Sequence, residues 1–304
     1  MVSARWVVHD SRDALKRGLA VFHSDLRIGA AMSTTPSPRI HPTAVISAEA
    51  QLAEDVQVGA YAIIEGTVRL GSGCIIRPHA HLIGPLSLGR NNVVHSGAVL
   101  GDVPQHLRFD RTQITSVEIG DDNIFRENVT VHRAAQPGGV TRIGNRNFFM
   151  AGSHVAHDCV VGDGCVLVNN ALLGGHVVLE NNVFISGNSA VHQFVRMGRL
   201  SFLSGTSGTS KDVPPFIMQQ TINRVVGVNV VGMRRAGMSS VDVEAVRHAF
   251  HVLYRQSQPI SLSLLQLEQE LGHNPAVAEM LTFIHNSRRG INLCVDHDER
   301  GEAA

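Results

Sequence analysis

Near the middle of the chain, the run SHVAHDC at residues 153–159 sets two histidines three positions apart and follows the second with an aspartate and a cysteine. Imidazole is the side chain that changes charge near neutral pH, so His154 and His157 are candidates for proton transfer or metal ligation. A carboxylate beside an imidazole can fix its tautomer and favour its protonated form, which makes His157 with Asp158 a candidate general-base pair. His176 and His192 follow at spacings of 19 and 16 residues, within GGHV and VHQF. The run could be a metal site, a base with its orienting carboxylate, or surface histidines beside a buried thiol. The elements that carry these residues decide among the three, because they set which way each side chain points.

A six-residue period dominates the chain. Counting in sixes from Ile40 reaches an aliphatic residue at every step to Leu100; the count resumes at Ile119, Phe125 and Val131, and again from Ile143 to Leu203. Four residues after each lies a second column, mostly small, that includes Ala62, Cys74, Ala80, Cys159 and Cys165, and glycine recurs one place after the aliphatic, as at Gly59, Gly71 and Gly174. A helix would rotate such a stripe away and a single strand would need period two. Short strands joined by tight turns satisfy it, with both columns inward and glycine easing the corner. Three hexads make one coil of about 18 residues, stacked on the next at roughly 4.8 Å, which predicts a triangular parallel β-helix.

Numbering the aliphatic residue as position one, His157 is at three, His154 at six, His176 at four and His192 at two, all outside the inward columns. Cys74, Cys159 and Cys165 fall in the small inward column and read as inert buried thiols. The spacings of His157, His176 and His192 predict three imidazoles on neighbouring coils along one edge, roughly 5 Å apart per coil. A narrow prism has no deep pocket of its own, so such a site needs walls from a partner subunit, and a symmetric homo-oligomer is expected.

The 304 residues carry 26 basic and 26 acidic side chains, a balance that gives no general reason to expect nucleic acid or an anionic membrane as partner. No apolar run approaches the roughly 20 residues a membrane span needs. The four cysteines show no paired spacing and the N-terminus lacks an apolar signal core, so a reduced, cytoplasmic location is expected. Residues 1–38 read as a disordered extension, with a short helix over 14–22 as the alternative. The coil spans 39–210, with excursions at 101–118 and 134–142, and residues 211–226 read as a linker begun by KDVPP. A helical domain follows over 227–293, with helices at 241–255 capped by Ser239 or Ser240, at 262–271 opened by Ser261, and from Asn274 and Pro275 to near Gly290. Residues 294–304, which include Cys294, read as a frayed tail.

The runs IHPTA (40–44), NVTVHR (128–133), SHVAHDC, LVNNALLGGHV (167–177), AVHQF (190–194), KDVPP (211–215) and GVNVVGMRR (227–235) occur in this order. Over about residues 39–293 the chain resembles the acyl-carrier-protein–UDP-N-acetylglucosamine O-acyltransferases, the first enzymes of lipid A synthesis. The resemblance implies an all-β left-handed parallel β-helix followed by a small C-terminal α-helical domain, assembled as a homotrimer with active sites between subunits. It implies that His157 is the general base, that Asp158 orients it, and that the Gly175 backbone N–H stabilises the oxyanion, with no acyl-enzyme. His154, His176, His192 and Gln193 would line the sugar and acyl-chain site. Arg108, Asn229 and Arg235 match contacts to the nucleotide sugar or to phosphopantetheine, and a basic patch with Arg234 would receive an acidic carrier protein. Gly205 matches the position associated with acyl-chain length. No metal and no cofactor are implied beyond the phosphopantetheine that carries the acyl group.

Two departures stand out. The loop reads QHLR at 105–108 where the family usually has QDLK, so His106 replaces an aspartate that contacts the sugar, and Val231 stands where an acidic residue is usual. Both leave open an N-acyltransferase acting on a UDP-3-amino sugar. A different class, a zinc hydratase of the γ-carbonic-anhydrase type, shares the coil and uses three histidines from two subunits, but gives Asp158, the GGH run and the C-terminal helices no purpose. An inert scaffold is the fourth reading.

Overall fold

A computed structural model describes residues 39–295; the expectations for residues 1–38 and for 296–304 lie outside the described residues. The coil is made of strands two to four residues long, each paired in parallel with the strand one coil away, as in Val45–Ile46 with Ile63–Glu65 and Ile63–Glu65 with His81–Ile83. Three sheets of nine, eight and eleven described strands result, one per side of the coil. Within a two-residue strand the second residue is buried and the first faces outward, as in Val160–Val161, where Val161 packs inside. The inward columns at positions one and five are occupied as the period requires, and Cys74, Cys159 and Cys165 are buried free thiols. Burial pushes the thiols of Cys159 and Cys165 up to about 12, which removes thiolate chemistry from both.

The corner glycines act differently from expectation. The residue with left-handed backbone is the one at position four, such as Asp158, His176 and Phe194 with φ of 59°, 61° and 65°. Asparagine, aspartate and glycine recur there because they tolerate that region best. The glycine at position two has ordinary φ and is required by close approach, since a Cβ on Gly71 would lie 2.5 Å from the Gly89 carbonyl oxygen.

Three inward positions hold buried asparagines instead of small residues. Backbone N–H and Nδ2 of Asn123 both donate to Asn92 Oδ1 at 3.0 Å, and those of Asn147 donate to Asn123 Oδ1 at 2.9 and 3.0 Å. Pairing along the axis satisfies each buried amide. The loops leave the prism between these coils and are shorter than expected. Val99–Asp102 and Ser116–Ile119 lie in the ladder, so the first excursion is 103–115, and Val140–Ile143 confines the second to 134–139.

The segment 211–226 is more than a linker. Ile217–Gln220 continues the eleven-stranded sheet beside Phe202–Leu203 and turns back as an antiparallel hairpin with Arg224–Val228, which Cys294–Val295 of the expected tail then flanks. The two prolines at 214 and 215 fall at a corner, where no ladder N–H is needed, and strand pairing resumes after them. Helices α1 (Val230–Arg235), α2 (Ser240–Tyr254), α3 (Ile260–Leu271) and α4 (Pro275–His285) follow. Ser239 caps α2 by accepting from the Asp242 N–H at 3.1 Å. α3 begins earlier than Ser261, behind Pro259, whose φ of −56° leads into the helix without a side-chain cap. α4 ends at His285 with Asn286 as its C-cap, well before Gly290, which turns with φ of 71°. Arg199 joins the helices to the coil through a two-pronged pair with Glu279 at 2.9 and 2.7 Å. No helix among the described residues is long and apolar enough to cross a membrane.

Candidate active site

The corner that follows the nine-stranded sheet carries the chemistry. His157, Gly175 and Gln193 occupy position three on successive coils, and Asp158, His176 and Phe194 occupy position four. The left-handed backbone at Asp158 turns its carboxylate back onto its neighbour, and His157 Nδ1 lies 2.7 Å from Asp158 Oδ2. Asp158 also accepts from the N–H of Ala135 at 2.9 Å and of Gln136 at 3.5 Å, both in the second excursion. Burial pushes this carboxyl up, but these hydrogen bonds outweigh it and hold the group below its ordinary range. An ionised Asp158 holding the Nδ1 proton leaves Nε2 of His157 with its lone pair and no partner among the described residues, the state a general base requires.

The His157 ring lies over Gly175, where a Cβ would meet Cε1 at 2.6 Å and Nε2 at 2.7 Å. Glycine at 175 is therefore set by the base above it. The Gly175 N–H donates to no described residue, while its carbonyl accepts from Phe194 at 2.9 Å.

His176 packs edge-on to His157 with ring centroids 5.3 Å apart, and its Nε2 lies 3.8 Å from Asp158 Oδ2. Burial lowers its pKa against the pull of Asp158. Phe194, not His192, is the third ring of the column, stacked on His176 at 4.5 Å. His192 sits on the same coil two places earlier, exposed, with Nδ1 3.1 Å from the Gln193 carbonyl oxygen and 3.5 Å from the Arg289 guanidinium. Gln193 is exposed and its carboxamide bonds no described residue.

On the outer face of the same sheet His154 pairs its Nδ1 with Thr130 Oγ1 at 2.7 Å. Burial, with His132 and His157 adding to it, brings its pKa down to about 4. His132, which the sequence reading did not single out, meets His154 edge-on at 4.9 Å and has a buried Nδ1 without a hydrogen-bond partner among the described residues. From the first excursion His106 reaches His157, its ring edge-on at 5.7 Å, so the base lies between two imidazoles. Arg108, two residues on, is exposed in the same loop, beside a fully exposed Leu107.

The remaining expected residues lie apart from this cluster. Asn229 caps α1, its Oδ1 accepting from Gly232 N–H at 2.9 Å while Nδ2 donates to the Leu200 carbonyl at 2.8 Å, so both ends of its amide are committed within the chain. Arg234 and Arg235 end α1, exposed and without an ion pair among the described residues. Gly205 lies one coil beyond Gly187 with nothing closer than 3.6 Å to a would-be Cβ, an open surface. A depression of about 550 Å³ lined by Val228, Arg247, His251 and Arg255 lies between α1 and α2 and includes none of the site residues.

His157, Asp158 and His176 bring their donor atoms within 4.8 Å of one another, close enough for one cation. Asp158 Oδ2 is engaged by His157 Nδ1 at 2.7 Å, the pairing by which a carboxylate orients a general base. The arrangement suits proton abstraction beside an open backbone donor.

Comparisons with known proteins agree. The family described as UDP N-acetylglucosamine O-acyltransferase, domain 2, matches residues 212–292, and the bacterial transferase hexapeptide family matches 141–175. An acyl-[acyl-carrier-protein]–UDP-N-acetylglucosamine O-acyltransferase of Stenotrophomonas maltophilia strain K279a is 42% identical over 261 residues, covering 84% of this chain and 98% of the relative. One from Anaeromyxobacter sp. strain Fw109-5 is 43% identical over 254 residues, covering 83% and 98%. Among solved structures, the UDP-N-acetylglucosamine acyltransferase of Francisella novicida matches with a TM-score of 0.81 at 30% identity over 85% of this chain and 95% of that one. The enzyme of Moraxella catarrhalis matches with 0.80 at 36% identity over 84% and 100%. The coil is accordingly a left-handed parallel β-helix with a small helical region after it. With curated relatives above 40% identity matched over nearly their whole length, the chain belongs to the acyl-[acyl-carrier-protein]–UDP-N-acetylglucosamine O-acyltransferase family.

Proposed function

We propose that this protein transfers an acyl group from acyl carrier protein to the 3-hydroxyl of UDP-N-acetylglucosamine, the first step of lipid A synthesis, in the cytoplasm. The observation that carries the reading is the 2.7 Å contact of His157 Nδ1 with Asp158, with the His157 ring against Gly175, whose N–H has no partner among the described residues. Nε2 of His157 takes the hydroxyl proton as the oxygen attacks the thioester carbonyl. The Gly175 N–H stabilises the oxyanion. When the carbon–sulfur bond breaks, the proton passes from His157 to the leaving thiolate. Protons balance without a metal, a cofactor or an acyl-enzyme, and the phosphopantetheine arm of the carrier delivers the acyl group.

In this reading His106, His154, His176, His192 and Gln193 line the acceptor and acyl chain, and Gly205 leaves room for a longer chain. Arg108, Arg234 and Arg235 hold phosphates or the acidic carrier, since a guanidinium can donate two bonds at once; Asn229 fixes the helix that presents Arg234 and Arg235. The protein acts as a homotrimer with sites between subunits. What supports this is the contrast between sides of the prism. Outward residues of the eleven-stranded sheet, such as Ile124, Val166, Phe184 and Phe202, are mostly apolar, whereas the eight-stranded sheet turns Arg69, Glu118, Arg142 and Arg196 outward, with Val160 and Val178 between the last two.

The test is a transfer assay with a panel of acyl carrier proteins against UDP-N-acetylglucosamine and its 3-amino analogue. The hydroxyl acceptor is expected to be used; use of the amine alone assigns the chain to N-acyl transfer. His157→Ala should slow transfer by roughly 10²–10⁴ with circular dichroism unchanged. Undiminished turnover in that variant rejects the base, and one tightly held zinc per subunit in the purified protein argues for the hydratase.

A further inference from the structure

The corners of the coil share one backbone but treat their position-three amides differently. At the corner after the eight-stranded sheet, four successive coils each cap the one before. Asp121 Oδ1 accepts from the Arg90 N–H at 2.7 Å, Asn145 Oδ1 from Asp121 at 2.8 Å, Asp163 Oδ1 from Asn145 at 2.7 Å, and Asn181 Oδ1 from Asp163 at 2.8 Å. An aspartate or asparagine has the length to reach the amide of the preceding coil.

At the catalytic corner the same positions hold His157, Gly175 and Gln193, and the coils approach equally closely. A Cβ on Gly162 would lie 3.0 Å from Asn181 N, and one on Gly174 would lie 2.7 Å from Gln193 N. The Gly175 N–H is nonetheless left without a partner among the described residues, and the residue at the same position of the next coil, Gln193, is one methylene longer than those that cap. We propose that Gln193 is a positioning residue: its length keeps the Gly175 amide uncapped, so the side chain at 193 determines whether the site has an oxyanion donor at all. A shorter carboxamide at 193 would satisfy the amide from within the protein and remove it from the reaction. The inference rests on the reading of Gly175 as that donor.

Gln193→Asn and Gln193→Ala are compared in steady-state acyl transfer. Both lose any direct contact of the glutamine with substrate, so the alanine variant sets the baseline. The asparagine variant is expected to fall a further roughly 10–10³-fold in kcat, the effect of withdrawing one oxyanion donor. KM for the nucleotide sugar should agree between the two, and hydrogen exchange at the Gly175 amide should slow only in the asparagine variant. Four aspartates or asparagines already occupy the equivalent position at the neighbouring corner, so the fold accepts the change. Equal kcat in the two variants, or unslowed exchange at Gly175, overturns the proposal. His157→Ala is assayed alongside: if it stays active, the catalytic reading itself fails, whereas an inactive His157→Ala with indistinguishable Gln193 variants sinks only the role of Gln193.

Discussion

Two edges of this prism differ in almost nothing but side-chain choice. One is a run of aspartates, asparagines and arginines that bond one another from coil to coil, as Asp163 does with Asn145 and Arg146. The other carries Asp158, His176 and Phe194 in a column, with His157 leaning over a glycine. Both present position-three amides at the repeat of the coil. The first uses them up in cohesion, and the second leaves one open beside a base. A periodic scaffold supplies open backbone amides at many places, and the chemistry appears where one of them lies beside a base.

Gly175→Ala should damage the catalytic edge most. Its Cβ would sit 2.6 Å from the His157 ring, so the ring must leave its place above the amide, and turnover should fall by at least about 10²-fold. Because φ at 175 is ordinary, the thermal midpoint should barely move. An active variant would show that the two edges are not functionally distinct.

The sheet that leads into the catalytic edge should also weaken first in acid. His154 has a folded pKa of about 4 against an ordinary 6.5, so between those values the unfolded chain holds a proton that the folded chain refuses. Stability is full above pH 6.5 and declines as pH falls towards 4, by at most about 3 kcal/mol from this group. His154→Gln should flatten the difference between denaturant midpoints at pH 7.5 and 4.5; identical slopes in variant and parent would remove this distinction. The capped edge responds in the same direction but at lower pH: Asp121, lowered by the Arg90 N–H, loses its contribution only as pH falls through the carboxylate range. The smallest effect is expected there. Asp163→Ala uncaps Asn145 and should lower stability by about 1 kcal/mol in denaturant unfolding, with turnover within twofold of the parent. A tenfold loss of activity would mean that the capped edge also serves the reaction.

The period of six told which residues point inward, and with it that His157 faces out and Cys159 does not. It did not tell which position takes the left-handed turn, because glycine at position two suggested flexibility where the need was close approach. Spacing placed His192 in the ring column, but only residues at the same hexad position stack, and Phe194 is the one exactly a coil beyond His176. His132 was legible only as part of a motif, since its burial depends on the neighbouring coils around it. The strands after Pro215 were missed because proline was read as ending the sheet when it only turns a corner.

The buried asparagines have a consequence for how such an enzyme can change. Asn92 and Asn123 are 31 residues apart in sequence yet bonded, and Asn123 and Asn147 are 24 apart, because each link spans a coil from which a loop departs. The links act like pins through a spiral staircase, holding step height constant whatever length of chain is let out between steps. The loops bearing His106 and Ala135 can therefore lengthen, shorten or exchange residues, retuning acceptor choice, without shifting the floor on which His157 stands.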